Sequence, residues 1–266
     1  MQEWIYLSKH GVDEYINLFA SGSGVDPTPL ELWEYGDSTA PLVIRGIMKH
    51  KIMKRCWDDN RPFLFMDTGY FGNRAGPLNP HGWKMYHRIV PNNFQHGKII
   101  PRPADRWERL KIQIKSKQSG SKILIAAPDE KPCSVYNITL EGWLRSVLEN
   151  LKQHTDREIV IRQRDPNRRN RVNNDFQDAL KDIHAVVTFN SNAATEAIIS
   201  GVPAFVTAPC HAALPVANTD ISKIESPFFP DMDLMQQWAR HLAYGQFHNT
   251  ELADGSARKF LEKEFP

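Results

Sequence analysis

The residues best placed to do chemistry lie between Val186 and Val206. An apolar run, Val186-Val187-Thr188-Phe189, leads into a small polar turn, Asn190-Ser191-Asn192. A short helical stretch follows with one carboxylate, Glu196, then the break Gly201-Val202-Pro203 and a second apolar run. The pattern is strand, turn, helix, strand. In a Rossmann-like unit it sets Ser191, Asn192 and the first helical N–H groups at the carboxyl end of a parallel strand. Free donors and the positive end of the helix dipole favour an anion there. Glu196, one turn into the helix, is spaced to accept two ribose hydroxyls. The chemistry implied is the binding of a nucleotide or nucleotide sugar.

Other groups extend this reading. Arg157, Arg162, Arg164, Arg168, Arg169 and Arg171 fall in one stretch, which reads either as a solvated basic loop or as two anion-binding sets. Arg162 and Arg164, at a strand end, suit a diphosphate through bidentate guanidinium donors. Arg168, Arg169 and Arg171 suit a nucleic-acid backbone instead, and composition does not separate the two. Lys131, in the loop Ala126-Ala127-Pro128-Asp129-Glu130-Lys131-Pro132, either meets a phosphate or belongs to a plain surface turn.

Asp67 ends a nearly all-apolar strand and is placed to act as general base on an acceptor hydroxyl, or to form a turn. His87, within Tyr86-His87-Arg88, is a second base candidate, and His10 before Gly11 a third; a lone histidine is also an ordinary structural residue. Tyr70, Phe71, Trp83 and Tyr86 either stack on a sugar or base or fill a core. Asp231-Met232-Asp233 is better suited to capping a helix than to holding a metal, so no metal site is expected. No GxSxG, Walker loop, HExxH or GxGxxG occurs, which argues against the commonest hydrolase, kinase, zincin and dehydrogenase designs.

These residues need a scaffold, and hydropathy supplies one. Apolar runs at 4–8, 41–46 and 62–67 alternate with helical patterns at 12–19 and 47–58, a parallel α/β signature. Residues 74–107 show no clear period. The stretch 112–121 reads as a linker, after which runs at 122–127, 158–162 and 185–189 alternate with helical patterns at 141–153 and 175–182. Helices are expected again at 234–245 and 256–264. The expected division is 1–115, 116–235 and a terminal pair of helices over 236–266 that returns to the first lobe. The fold class is α/β, with two Rossmann-like lobes facing a cleft.

With 266 residues, 41% of them hydrophobic, the chain can bury substantial cores. A net charge of +2 leaves only local basic patches to recruit polyanions. Cys56, Cys133 and Cys210 are odd in number and widely spaced, which reads as free thiols in a reducing compartment. No secretory signal stands at the start, and no apolar run approaches the ~20 residues of a membrane span. A cytoplasmic protein is expected.

Over Lys122–Lys131, Glu158–Arg164 and above all Thr188–Val206, the chain resembles the nucleotide-sugar-binding lobe of GT-B glycosyltransferases. The resemblance implies that the turn, the helix with Glu196 and the Gly201-Val202-Pro203 break hold a donor's diphosphate and ribose. The donor it implies is a nucleoside-diphosphate sugar, UDP-sugar first among them, with no resident cofactor and Mg or Mn as an optional aid. Among small members of this fold, the chain resembles phage enzymes that glucosylate hydroxymethylated DNA bases. That resemblance implies Asp67 as base, double-stranded DNA with modified bases as acceptor, and the host cytoplasm as location. It would put Lys51, Arg55, Tyr70, Arg168, Arg169 and Arg171 on the acceptor side. Alternatives are a surface-polysaccharide transferase of the capsule or Kdo kind, a sugar-nucleotide epimerase, and a non-catalytic nucleotide or nucleic-acid-binding module. Oligomeric state is left open.

Overall fold

The structure is a computed structural model and describes residues 3–74, 78–163 and 175–265. In chain order the strands are β1 (Ile5–Ser8), β2 (Thr28–Pro29), β3 (Leu42–Arg45), β4 (Phe63–Thr68), β5 (Tyr86–Pro91), β6 (Lys122–Ala126), β7 (Ile159–Arg162), β8 (Ile183–Thr188), β9 (Ala204–Val206) and β10 (Gln246–His248). The helices are α1 (Glu14–Gly22), α2 (His50–Asp58), α3 (Asp105–Arg109), α4 (Glu130–Val135), α5 (Leu140–His154), α6 (Asp175–Ala179), α7 (Ala193–Ile199), α8 (Met232–Tyr244), α9 (Asn249–Ala253) and α10 (Ser256–Glu264). They form two compact units: residues 1–73, 84–94 and 245–266 make one, and 74–83 with 95–244 make the other.

The first unit is built on a six-stranded mixed sheet in the order β10-β5-β4-β3-β1-β2. β2, β1, β3 and β4 run parallel, whereas β5 is antiparallel to β4 and β10 antiparallel to β5. Phe63 and Phe65 alternate with Leu64 and Met66 along β4, and all four are buried. Both faces of the strand are therefore covered, which is why it reads as one apolar run and not as an alternation. Trp4, Tyr6, Ile16, Phe19, Val43, Leu64, Ile89, Phe247, Leu252 and Leu261 form one core. Full burial of each large side chain here contributes roughly 1.5–3 kcal/mol. Asp13 starts α1 by accepting the Ile16 N–H. Helix α10 is fixed to β1 by Arg258, which is buried, lies over the Trp4 ring at 3.4 Å and donates to the Tyr6 hydroxyl.

The second unit carries a parallel sheet in the order β7-β6-β8-β9. On one face Trp143, Val147 and Leu151 of α5 pack on Ile123, Ile125, Val187 and Phe205. On the other, Phe176, Ala193, Ala197 and Val202 pack on Leu124 and Val186. Thr139 caps α5 by accepting the Gly142 N–H. Helix α7 ends in a Schellman turn: Gly201 N–H donates to Ile198 O and Val202 N–H to Ala197 O. The turn needs a positive φ, and Gly201 supplies +87°.

The α/β class and most elements stand where hydropathy put them. β2, β5, β10, α3, α4 and α9 were not expected. β5 hides His87 and Arg88 inside an otherwise apolar strand, and β10 is only three residues long. Lys131 lies in α4 and not in a loop. The helix expected over 175–182 stops at Ala179, and Asp182 takes a φ of +60°. The stretch 112–121, read as a linker, is tied down within the second unit: Lys115 N–H donates to Ile199 O and Gln118 N–H to Gly201 O.

Candidate functional site

In an open parallel sheet, ligands bind beyond the carboxyl ends of the strands, at the point where the strand order reverses. Each unit has such a point. In the second unit the chain goes from β6 to β7 on one side and then to β8 on the other. The reversal lies between β6 and β8, so the segments after Ala126 and Thr188 flank it.

The turn after β8 is held by side chains that are themselves buried. Gln95 donates through Nε2 to Asn190 O at 3.0 Å and accepts the Ala212 N–H at 2.9 Å. The Ala213 N–H donates to Nδ1 of His211 at 2.9 Å. In the neutral ring the proton is therefore on Nε2, and that N–H donates to Ser191 O at 3.0 Å. Thr188 donates to Ala126 O at 2.6 Å, joining the two strands at the reversal. Each such bond adds about 0.5–1.5 kcal/mol, and together they fix the backbone of the turn.

The donor residues expected from the sequence divide into four groups. Ser191 and Asn192 stand at the start of α7, but not all of the first helical N–H groups are open. Ala193 N–H donates to Ser191 Oγ at 3.2 Å and Ala194 N–H to Ser191 O. Glu196 and Arg162 are brought into one cluster by two residues that sequence reasoning missed. Arg74 forms an ion pair with Glu196 and donates from Nη2 to Oε1 at 2.8 Å. The Arg74 and Arg162 guanidinium groups lie 5.6 and 5.4 Å from the centre of the buried Phe176 ring. Two cations and one carboxylate thus gather around one aromatic ring, where cation–π attraction of about 0.5–2 kcal/mol orients each arginine. No sequence signal links Arg74 to Glu196, because 122 positions separate them. Lys131 is exposed on α4, apart from this cluster. Arg164, Arg168, Arg169 and Arg171 lie outside the described residues.

In the first unit the chain goes from β1 to β2 and then returns to β3 on the other side, so the reversal lies between β1 and β3. Asp67 is on the same carboxyl edge, near the end of β4 and paired in register with Arg88 of β5. Its side chain is 33% exposed and its Oδ2 lies 3.2 Å from Arg88 Nη2. Its Oδ1 accepts the Thr68 N–H at 2.7 Å. The carboxylate is held in one orientation and open to solvent on part of its surface.

His87 is completely buried, with its ring 4.1 Å from that of Tyr15. Burial, helped by the Arg45 charge, pushes its pKa down to about 4. A fully buried neutral ring reaches no acceptor in solvent, so His87 is placed as a structural residue of β5. Tyr70 is buried with the Arg88 guanidinium over its ring, which leaves it no face for stacking on an acceptor. Lys51 and Arg55 are exposed on α2; Arg55 lies over the Tyr35 ring at 3.9 Å and pairs with Asp59. His10 is exposed and paired with Glu31. Trp83 is exposed, stacked on His81, and its backbone is gripped by Asn79. Asp231 caps α8 through the Leu234 N–H. Among the described residues no three His, Cys, Asp or Glu side chains converge as metal ligands. Nor, among them, is any helix long and apolar enough to cross a membrane.

No family model matches the chain, and no curated protein matches it. Among solved structures, the fold is similar to that of KpsC from Thermosulfurimonas dismutans, described as a beta Kdo 2,4 transferase. The TM-score is 0.52 at 12% identity, over 89% of this chain and 90% of that one. The chain is thus an α/β protein with one mixed and one parallel sheet, and its fold resembles that of the KpsC glycosyltransferase. The phage DNA-modifying resemblance finds no support in this match.

Proposed function

We propose that the protein is a glycosyltransferase that moves a sugar from a nucleotide-activated donor to a hydroxyl of a surface saccharide. The observation that carries this is the likeness in fold to a transferase over nearly the whole of both chains. The candidate donor site is the carboxyl edge of the second sheet. Arg162 and Arg74 are the cations for the donor's phosphate, where negative charge grows as the sugar–phosphate bond breaks. Glu196, oriented by Arg74, accepts ribose hydroxyls. The pinned turn at Asn190–Asn192 lines the same edge. Asp67 takes the acceptor proton in the first unit. The Kdo transferase likeness favours a surface glycan over DNA as acceptor.

Thermal-shift measurements with UDP, GDP, ADP, CMP and their sugars test this first. A ligand at about a hundred times its Kd stabilises by about 2.7 kcal/mol, a shift of several degrees for a unit of this size. A shift with one base only names the donor and decides whether UDP is correct. Transfer assays on saccharides and on hydroxymethylated duplex DNA then separate the acceptors. Transfer to DNA that weakens steeply between 50 and 200 mM salt would replace the saccharide reading. No shift with any nucleotide would refute the transferase reading.

A further inference from the structure

The reversal point of the first sheet carries features that the proposed chemistry has not used. The segment leaving β1 is Lys9-His10-Gly11, and the segment leaving β3 is Gly46 to Lys49, directly after Arg45. Three residues here have positive φ: His10 at 50°, Gly11 at 68° and Gly46 at 86°. A non-glycine residue in this region is held there at a cost, and such positions gather at binding sites. Space is open above both glycines. A Cβ on Gly46 would meet nothing within 4 Å, and one on Gly11 only the Pro29 ring at 3.9 Å.

Lys9, Arg45 and Lys49 bring three fixed positive charges to this edge, and Asp13 and Glu31 bring two negative ones. Both carboxylates are already engaged. Asp13 caps α1 through the Ile16 N–H and lies 3.3 Å from Arg45 Nη1. Glu31 accepts the His10 N–H at 2.7 Å and pairs with the His10 ring at 3.1 Å. Lys9 and Lys49 have no ion-pair partner among the described residues. Lys49 is half-buried, and burial lowers its pKa from the ordinary lysine value. The Asp13 and Glu31 charges act on Lys49 from beyond ion-pair distance, so the partly dry ammonium keeps room for an incoming anion.

We propose that the carboxyl edge between β1 and β3 binds an anionic group, a carboxylate or a phosphate monoester, through Lys49 and Lys9 beside the open backbone at Gly11 and Gly46. Resting on the transferase reading, this group belongs to the acceptor. Asp67 is one strand beyond β3 on the same edge, in register just past the Arg45–Met66 pair. Two strand spacings separate β1 from β4, about 10 Å. The acceptor saccharide would thus be held by its acidic substituent while a hydroxyl roughly that far away meets Asp67.

The test uses the full chain labelled with ¹⁵N and three probes: glycerol 3-phosphate, methyl glucuronide and the neutral methyl glucoside. The expected result is saturable shifts of the Gly11 and Gly46 amide signals with one or both acidic probes and none with the neutral one. The stronger acidic probe identifies the source as phosphate or carboxylate. Binding should weaken about tenfold in Lys49→Gln and further in Lys9→Gln/Lys49→Gln, with the nucleotide thermal shift unchanged. Equal response to all three probes, or undiminished binding in the double variant, overturns the proposal. Anion binding that depends on Lys49 in a protein showing no nucleotide shift would leave this site standing and remove the transferase reading alone.

Discussion

Replacing His87 gives the sharpest physical test of the structure. The ring is fully buried, and its folded-state pKa is about 4 against 6.5 for an ordinary histidine. Between those values the unfolded chain binds a proton that the native protein excludes. Stability is therefore full above about pH 6.5 and declines as the pH falls towards 4. One pKa unit corresponds to about 1.4 kcal/mol, so the whole window is worth about 3 kcal/mol, of which about 2 kcal/mol is lost by pH 5. Other groups titrate in the same range, so the quantity to read is a difference. Urea unfolding of the wild type and of His87→Phe, whose ring can occupy the same place against Tyr15, should be measured from neutral pH to about pH 5. The stability difference between them should shift against the wild type by about 2 kcal/mol over that range. Parallel profiles would show that His87 titrates normally. The burial argument, and with it the structural role given to this histidine, would then be wrong.

Three further outcomes follow from the site and its supports. Asp67→Asn keeps an oxygen for Arg88 but removes the base, so kcat should fall about 10²–10⁴-fold with nucleotide affinity unchanged; full activity would end the assignment. Glu196→Gln should raise the donor KM roughly tenfold with a smaller loss of kcat, and an unchanged KM would remove the ribose contact. Gly201→Ala asks a Cβ to sit 2.2 Å from Ser116 O at a φ of +87°, and should destabilise by about 1–3 kcal/mol in thermal or urea unfolding. If it does not, the segment carrying Ser116 is not held against the end of α7.

Hydropathy revealed the scaffold because the central strands of both sheets are buried on both faces. Strands such as Phe63–Met66 and Ile123–Ala126 then appear as unbroken apolar runs. The Gly201-Val202-Pro203 break was legible for a local reason, since a helix that stops in this way needs a positive φ. β5 was not legible, because His87 and Arg88 are polar by type and buried by context. The pairing of Arg74 with Glu196 was hidden by sequence distance. So were the roles of Gln95 and His211, which act on backbone carbonyls in a turn they reach only after folding. The basic helix around Lys51 and Arg55 invited a nucleic-acid reading that composition allowed; the contacts of Arg55 with Asp59 and Tyr35 show where part of that charge is spent.

The first unit is threaded through the second in sequence. β5 waits for β10, and the Trp4 and Tyr6 rings wait for Arg258, while the whole of 95–244 intervenes. On a ribosome the second unit has everything it needs before the first can finish. Until residues 245–261 emerge, β5 is an open sheet edge and the core face of β1 lacks its cover. Such a chain keeps an aggregation-prone edge open from the completion of β5 until β10 has emerged. Nascent-chain lengths that stop just short of β10 should be the ones that most need a chaperone.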